Sequence, residues 1–152
     1  MLTKWDIRFL NLAKHWSTFS KDPSTKCGCV IARGSEELGF GYNGFPECIE
    51  DKLEWYEDRS IKYPCVIHSE GNAIKKAVRH GRLDGTTCYT YPCAPCGECA
   101  KELVNWGITK VVAPNCLGRY HGEHLVFDMA KTERIWTSFN SYTGWEIVKH
   151  IK

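Results

Sequence analysis

No apolar run in this chain approaches the roughly 20 residues that a helix needs to span a bilayer, so no membrane partner is expected. Charge of one sign is not in excess either: 20 basic residues face 18 acidic ones, for a formal net charge of +2. A surface built for polyanions shows a basic stripe, and with no Lys/Arg run in sight no nucleic-acid partner is expected. The opening residues, Met1-Leu2-Thr3-Lys4-Trp5-Asp6, turn polar too soon for a secretory leader. These absences together predict a cytoplasmic protein. Repeats, linkers and low-complexity segments are missing as well, and 152 residues suit a single domain, 1–152, with its own core.

Cysteine, by contrast, is plentiful. Nine is an odd number in a chain that is neither short nor loop-rich, which argues for metal ligation and buried thiols over a disulfide framework. Cys27, Cys29, Cys65 and Cys88 fall in apolar, strand-like contexts and are expected to be small core residues. Trp5, Phe9, Leu12, Ala13 and Trp16 repeat at helical spacing, predicting a helix over 3–19 that a polar turn with Pro23 ends. Strands are predicted from Cys27 to Ala32 and from Leu38 to Tyr42, then a weakly patterned loop over 46–64. A helix led by His68 runs to a glycine cap at Gly81, followed by a strand at 87–91, a helix from Cys96, and a strand at 108–113. Leu125 to Ala130 reads as a helix, 134–138 as a fifth strand, and the last dozen residues as a terminal helix. Strands alternating with helices indicate an α/β layered domain around one sheet.

Two fragments stand out against this background. His68-Ser69-Glu70 heads one core-facing stripe (Ala73, Ile74, Ala77, Val78), and Pro95-Cys96-Gly97-Glu98-Cys99 heads another (Ala100, Leu103, Val104). A carboxylate at the head of a buried stripe is costly unless a metal, a partner or a reaction needs it. One histidine and two thiolates make an open zinc site, and Glu70 beside them supplies an acid/base. P-C-x-x-C occurs twice, overlapping on Cys96. Pro95 suits the first helical position, which puts Cys96 and Cys99 on one face of the first turn. The predicted metal ligands are therefore His68, Cys96 and Cys99, with Cys93 a spare thiol and Glu70 the catalytic residue. A closed structural zinc, taking Cys93 or His121 as fourth ligand, is the competing arrangement. No spacing demands a second zinc at Cys48.

The signature H-x-E followed by P-C-x-x-C belongs to the zinc nucleobase deaminases, and further blocks narrow the resemblance. Lys62-Tyr63-Pro64-Cys65-Val66-Ile67-His68-Ser69-Glu70-Gly71-Asn72-Ala73-Ile74 resembles the K-Y-P-x-V-x-H-A-E-x-N-A-I block of deoxycytidylate deaminases. Cys96-Gly97-Glu98-Cys99-Ala100-Lys101 with Gly107-Ile108, Gly41-Tyr42-Asn43-Gly44-Phe45-Pro46 and Ser20-Lys21-Asp22-Pro23 are similar to three more of their segments. Arg119-Tyr120-His121 followed by Leu125-Val126-Phe127-Asp128-Met129-Ala130 resembles their tail. Departures are Ser69 for an alanine, Gly71 for a bulkier residue, and the added Cys93.

The resemblance implies a three-layer α/β/α cytidine-deaminase-like fold with a mixed sheet of about five strands. It implies hydrolysis of dCMP to dUMP and ammonia with catalytic Zn²⁺, usually in a homohexamer. It also implies that Asn43 contacts the sugar and Tyr120 the base. Ser24, Lys26 and Lys21 are phosphate candidates from the S-K-D-P turn, with a solvated charged turn as the alternative. Activation by dCTP and inhibition by dTTP, with Mg²⁺ on the triphosphate, are implied at a site including Gly41, Tyr42, Asn43 and Gly44; a plain glycine turn is the alternative there. A polynucleotide-editing deaminase of tRNA or single-stranded DNA would share the zinc chemistry, and a zinc-stabilised binding module would share the ligands.

Overall fold

A computed structural model describes residues 2–108 and 110–114, and the backbone of 124–128. Tyr120, His121, the strand predicted at 134–138 and the terminal helix lie outside the described residues.

Helix α1 spans Lys4–Ser17 and opens with a capping box: Thr3 Oγ1 accepts from the Asp6 N–H while the Asp6 carboxylate accepts from the Thr3 N–H. Strands β1 (Gly28–Arg33) and β2 (Glu36–Tyr42) form an antiparallel hairpin. Beyond it come α2 (Leu53–Glu57), α3 (Arg59–Cys65), α4 (Ser69–Ala77), β3 (Thr87–Tyr91), α5 (Gly97–Asn105), β4 (Lys110–Pro114) and β5 (His124–Asp128). The sheet order is β2-β1-β3-β4-β5, with β3 and β4 parallel and the other pairs antiparallel. The crossover from β3 to β4 carries α5, as a parallel pair requires.

Both faces of the sheet are covered, and β1 shows how. Cys29 and Ile31 point into one apolar cluster with Ala73, Ile74 and Ala77 of α4 and Leu103 of α5. Val30 and Ala32 point into another with Phe9, Leu10 and Ala13 of α1. A strand buried on both faces reads as a continuous apolar run, and Gly28–Ala32 is buried throughout. The helices lie close because glycines clear the way. A Cβ at Gly28 would stand 1.9 Å from the Ala13 carbonyl oxygen, and one at Gly41 2.3 Å from that of Ser69.

Four expectations need correction. The stretch from Leu125 begins in a strand, not a helix: five residues are too few for periodicity to separate the two, and β4 pairs with it from Lys110↔Asp128 to Pro114↔His124. Residues 46–64 are not all loop. Asp58 ends α2 and caps α3, accepting from the Ser60 N–H at 2.9 Å. Cys65 is exposed at the end of α3 instead of buried, whereas Cys29 and Cys88 are core thiols 3.4 Å apart. Pro95 precedes the helix, because Cys96 is extended (ψ 170°) and serves as N-cap of α5. Among the described residues no helix is long and apolar enough to cross a membrane.

Candidate metal centre and active site

His68 is the N-cap of α4, and the preceding residue is pinned by paired backbone hydrogen bonds between Ile67 and Gly44 (2.8 and 3.1 Å). Cys96 caps α5, and Cys99 lies in that helix's first turn. The two helix heads meet: His68 Nδ1 stands 3.5 Å from Cys96 Sγ and 3.3 Å from Cys99 Sγ. All three donor atoms lie within 4.8 Å of one another, and no fourth His, Cys or carboxylate joins them among the described residues. One imidazole and two thiols converging this tightly fit zinc. A hydrogen bond from Cys99 lowers the Cys96 thiol to about 3, as a thiolate ligand requires. Cys99 is raised, first by that same hydrogen bond and then by burial and the Glu70 charge. The hydrogen bond to Cys96 raises His68.

Glu70, the second residue of α4, is buried beside the triad without belonging to it. Burial pushes its carboxyl above the usual range. Ser69, one of the departures from the family block, donates its hydroxyl to Glu70 Oε2 at 3.2 Å. His68, Glu70 and Cys96 line a cavity of about 600 Å³ together with Asn43, Ser24 and Tyr91. That volume suits a small organic ligand. Cys93 lines it too, outside the ligand triad. Cys48 is exposed and joins no metal-binding cluster of described residues.

The structure brings Asn43 to this cavity and shows what holds it. Its Oδ1 accepts from the Cys27 N–H at 2.8 Å, and its Nδ2 donates to the Thr25 carbonyl at 2.8 Å. Asp22, from the Ser20-Lys21-Asp22-Pro23 turn and not among the predicted site residues, is fully buried. Its carboxylate accepts from the Ser24 and Thr25 N–H groups (2.9 and 3.2 Å) and pairs with Lys62 at 2.8 Å. Asp at the start of such a turn is the available sequence signal; its partner 40 residues away leaves none. Of the phosphate candidates, Ser24 lines the cavity, whereas Lys21 and Lys26 do not. Lys21 pairs with Asp51 at 3.2 Å and Lys26 donates to the Ser20 carbonyl.

Tyr42, Asn43 and Gly44 also border a second hollow of about 240 Å³, with Lys75 and Lys76 on α4. Gly41 does not reach it; its missing side chain makes room for α4.

A sheet with a histidine heading one helix and two cysteines heading the next defines the zinc-dependent base deaminases. The chain belongs to the cytidine and deoxycytidylate deaminase family, whose zinc-binding region matches residues 3–114. It is 37% identical over 114 residues to an uncharacterized deaminase encoded in the luxG 3′ region of Aliivibrio fischeri, covering 75% of each chain. It is 33% identical over 140 residues to the deoxycytidylate deaminase of Homo sapiens, covering 84% of this chain and 76% of that one. Among solved structures, dCMP deaminase of cyanophage S-TIM5 in complex with dCMP and dUMP matches with a TM-score of 0.63 and 25% identity, over 73% of this chain and 81% of that one. Cytidine deaminase of Burkholderia pseudomallei shares the fold at 17% identity, with a TM-score of 0.57 over 85% and 94% of the two chains.

Proposed function

We propose that this chain, as a single domain over 1–152, hydrolyses dCMP to dUMP and ammonia in the cytoplasm. The observation that carries the reading is Glu70, buried beside a His68–Cys96–Cys99 triad and open to the same cavity. Relatives named deoxycytidylate deaminase supply the choice of base and phosphate state.

Zinc, when bound by the triad, lowers the pKa of water toward neutrality. Glu70 takes a proton from the attacking water as its oxygen adds to C4 of the cytosine, and passes that proton to ring nitrogen N3. The proton left on that oxygen is carried by the same carboxyl to the amino group, so that the C4 carbonyl forms as the C4–N bond breaks and ammonia leaves. Burial raises the proton affinity of Glu70, which favours a group that must hold and return protons. Asn43, fixed by Cys27 and Thr25, is the proposed sugar contact, Ser24 a phosphate contact and Tyr120 the base contact.

Regulation is part of the proposal: dCTP activating and dTTP inhibiting, each with Mg²⁺, in a homohexamer. The hollow bordered by Tyr42, Asn43 and Gly44 is the place proposed for that effector; Lys76 also lines it, while Lys75 there pairs with Glu47 at 3.0 Å. Gly41 contributes by packing. The test is ammonia release from dCMP, dCTP, deoxycytidine and a single-stranded oligonucleotide, with and without dCTP or dTTP. Turnover of dCMP, raised by dCTP and lowered by dTTP, is the expected result. Turnover of the oligonucleotide alone would favour the editing class, and silence on all four with zinc bound would leave a structural-zinc module.

A further inference from the structure

The cavity that ends at Glu70 carries cations which the deamination chemistry leaves unused. Lys62 is one, but Asp22 holds its ammonium at 2.8 Å, and that carboxylate is sealed from solvent. Lys21 and Lys26 are engaged outside the cavity, as described above. Arg59 differs from all three. It lines the cavity from the first position of α3 and forms no ion pair or hydrogen bond among the described residues; its guanidinium lies over the Tyr63 ring, 6.0 Å from the centroid.

Chain geometry places Arg59 away from the reacting end. Cys65 lies six positions further along α3, about 9 Å of helix, and His68 follows in extended chain. Glu57 lines the same cavity and also lacks an ion pair among the described residues, so net positive charge alone does not select an anion there. Recognition therefore falls to a directional group, and a guanidinium fork matches phosphate oxygens in pairs.

We infer that Arg59 grips the 5′-monophosphate of the substrate and sets the preference for nucleotide over nucleoside. The inference rests on the nucleotide-deaminase reading above. Zinc-loaded wild type, Arg59→Ala and Arg59→Lys are compared for ammonia release from dCMP and deoxycytidine, and for calorimetric binding of dUMP and deoxyuridine. Arg59→Ala is expected to lower the dCMP-to-deoxycytidine ratio of kcat/KM about 10- to 100-fold, chiefly through KM. Binding of dUMP relative to deoxyuridine should fall by a similar factor, with Arg59→Lys between the two, since it keeps the charge without the fork. An unchanged preference, or an equal loss for nucleotide and nucleoside, would overturn the role. If wild type releases no ammonia from either substrate, the deamination reading fails, while the binding comparison still decides Arg59.

Discussion

Glu70 sits where burial raises its proton affinity, two positions after an imidazole that the triad requires. Positioned proton transfer of this kind contributes about 10²–10⁴-fold to a rate. Glu70→Gln should therefore lose turnover by that factor and keep its zinc, because Glu70 is not one of the three converging ligands. Metal analysis alongside an ammonia assay checks this; zinc lost in step with activity would make the residue a structural one. On the far face of the sheet, Asp6 answers to different forces. Burial pushes its carboxyl up, but hydrogen bonds from the Thr3 N–H, Lys110 and Tyr89 outweigh it and leave it below its ordinary value of 3.8. Both Asp6 oxygens lie 2.9 Å from Lys110 Nζ. A folded-state value below the unfolded one means that this stabilisation is complete above about pH 4 and is lost as pH falls through the folded value. Lys110→Met should cost about 1–3 kcal/mol at pH 7, and the gap to wild type should close under acid in urea titrations. A gap independent of pH would remove the ion pair as its cause.

At the scale of elements, α4 positions the chemistry, and β2 positions α4. Asn72 Nδ2 on that helix donates to the Tyr42 carbonyl at 2.9 Å, and Gly41 lets the Ser69 backbone approach. Gly41→Ala would force a Cβ into that backbone, shifting the helix head that carries His68 and Glu70; overpacking of this kind costs about 1–3 kcal/mol. Reduced stability and reduced dCMP turnover are expected together. Loss of an effector response alone, at unchanged stability, would instead return Gly41 to the effector site. The heads of α4 and α5 were legible in the sequence because stripes of Ala, Ile, Leu and Val told which way each helix faced, and the polar residue leading each stripe had to meet the other. Where Lys21 and Lys26 point was not legible, because charge in a turn carries no direction: only the fold shows that one meets Asp51 and the other a carbonyl. The short helices α2 and α3 were missed for lack of a period, five and seven residues being too few to display one. A five-residue β5 fails the same test from the other side.

For the whole molecule, the metal is a clip as well as a reagent. Its proposed ligands are 28 and 31 residues apart along the chain and come from two helices. Zinc bound to the folded state alone stabilises it by about 1.4 kcal/mol for each tenfold rise in free zinc above the dissociation constant. Melting temperature should climb with the logarithm of free zinc and drop on chelation, and readdition should restore both stability and turnover. A melting curve indifferent to chelator would mean that the triad does not hold the ion. The two apolar clusters across the sheet share no residue. One lies under α4 and α5, whose heads carry the chemistry; the other packs against α1 and, among the described residues, touches the cavity lining only through Tyr91 at its edge. Such a division lets a lineage explore: changes among Phe9, Leu10 and Val112 alter robustness to heat while leaving catalysis untouched, so a random library should yield viable variants far more densely on the α1 side.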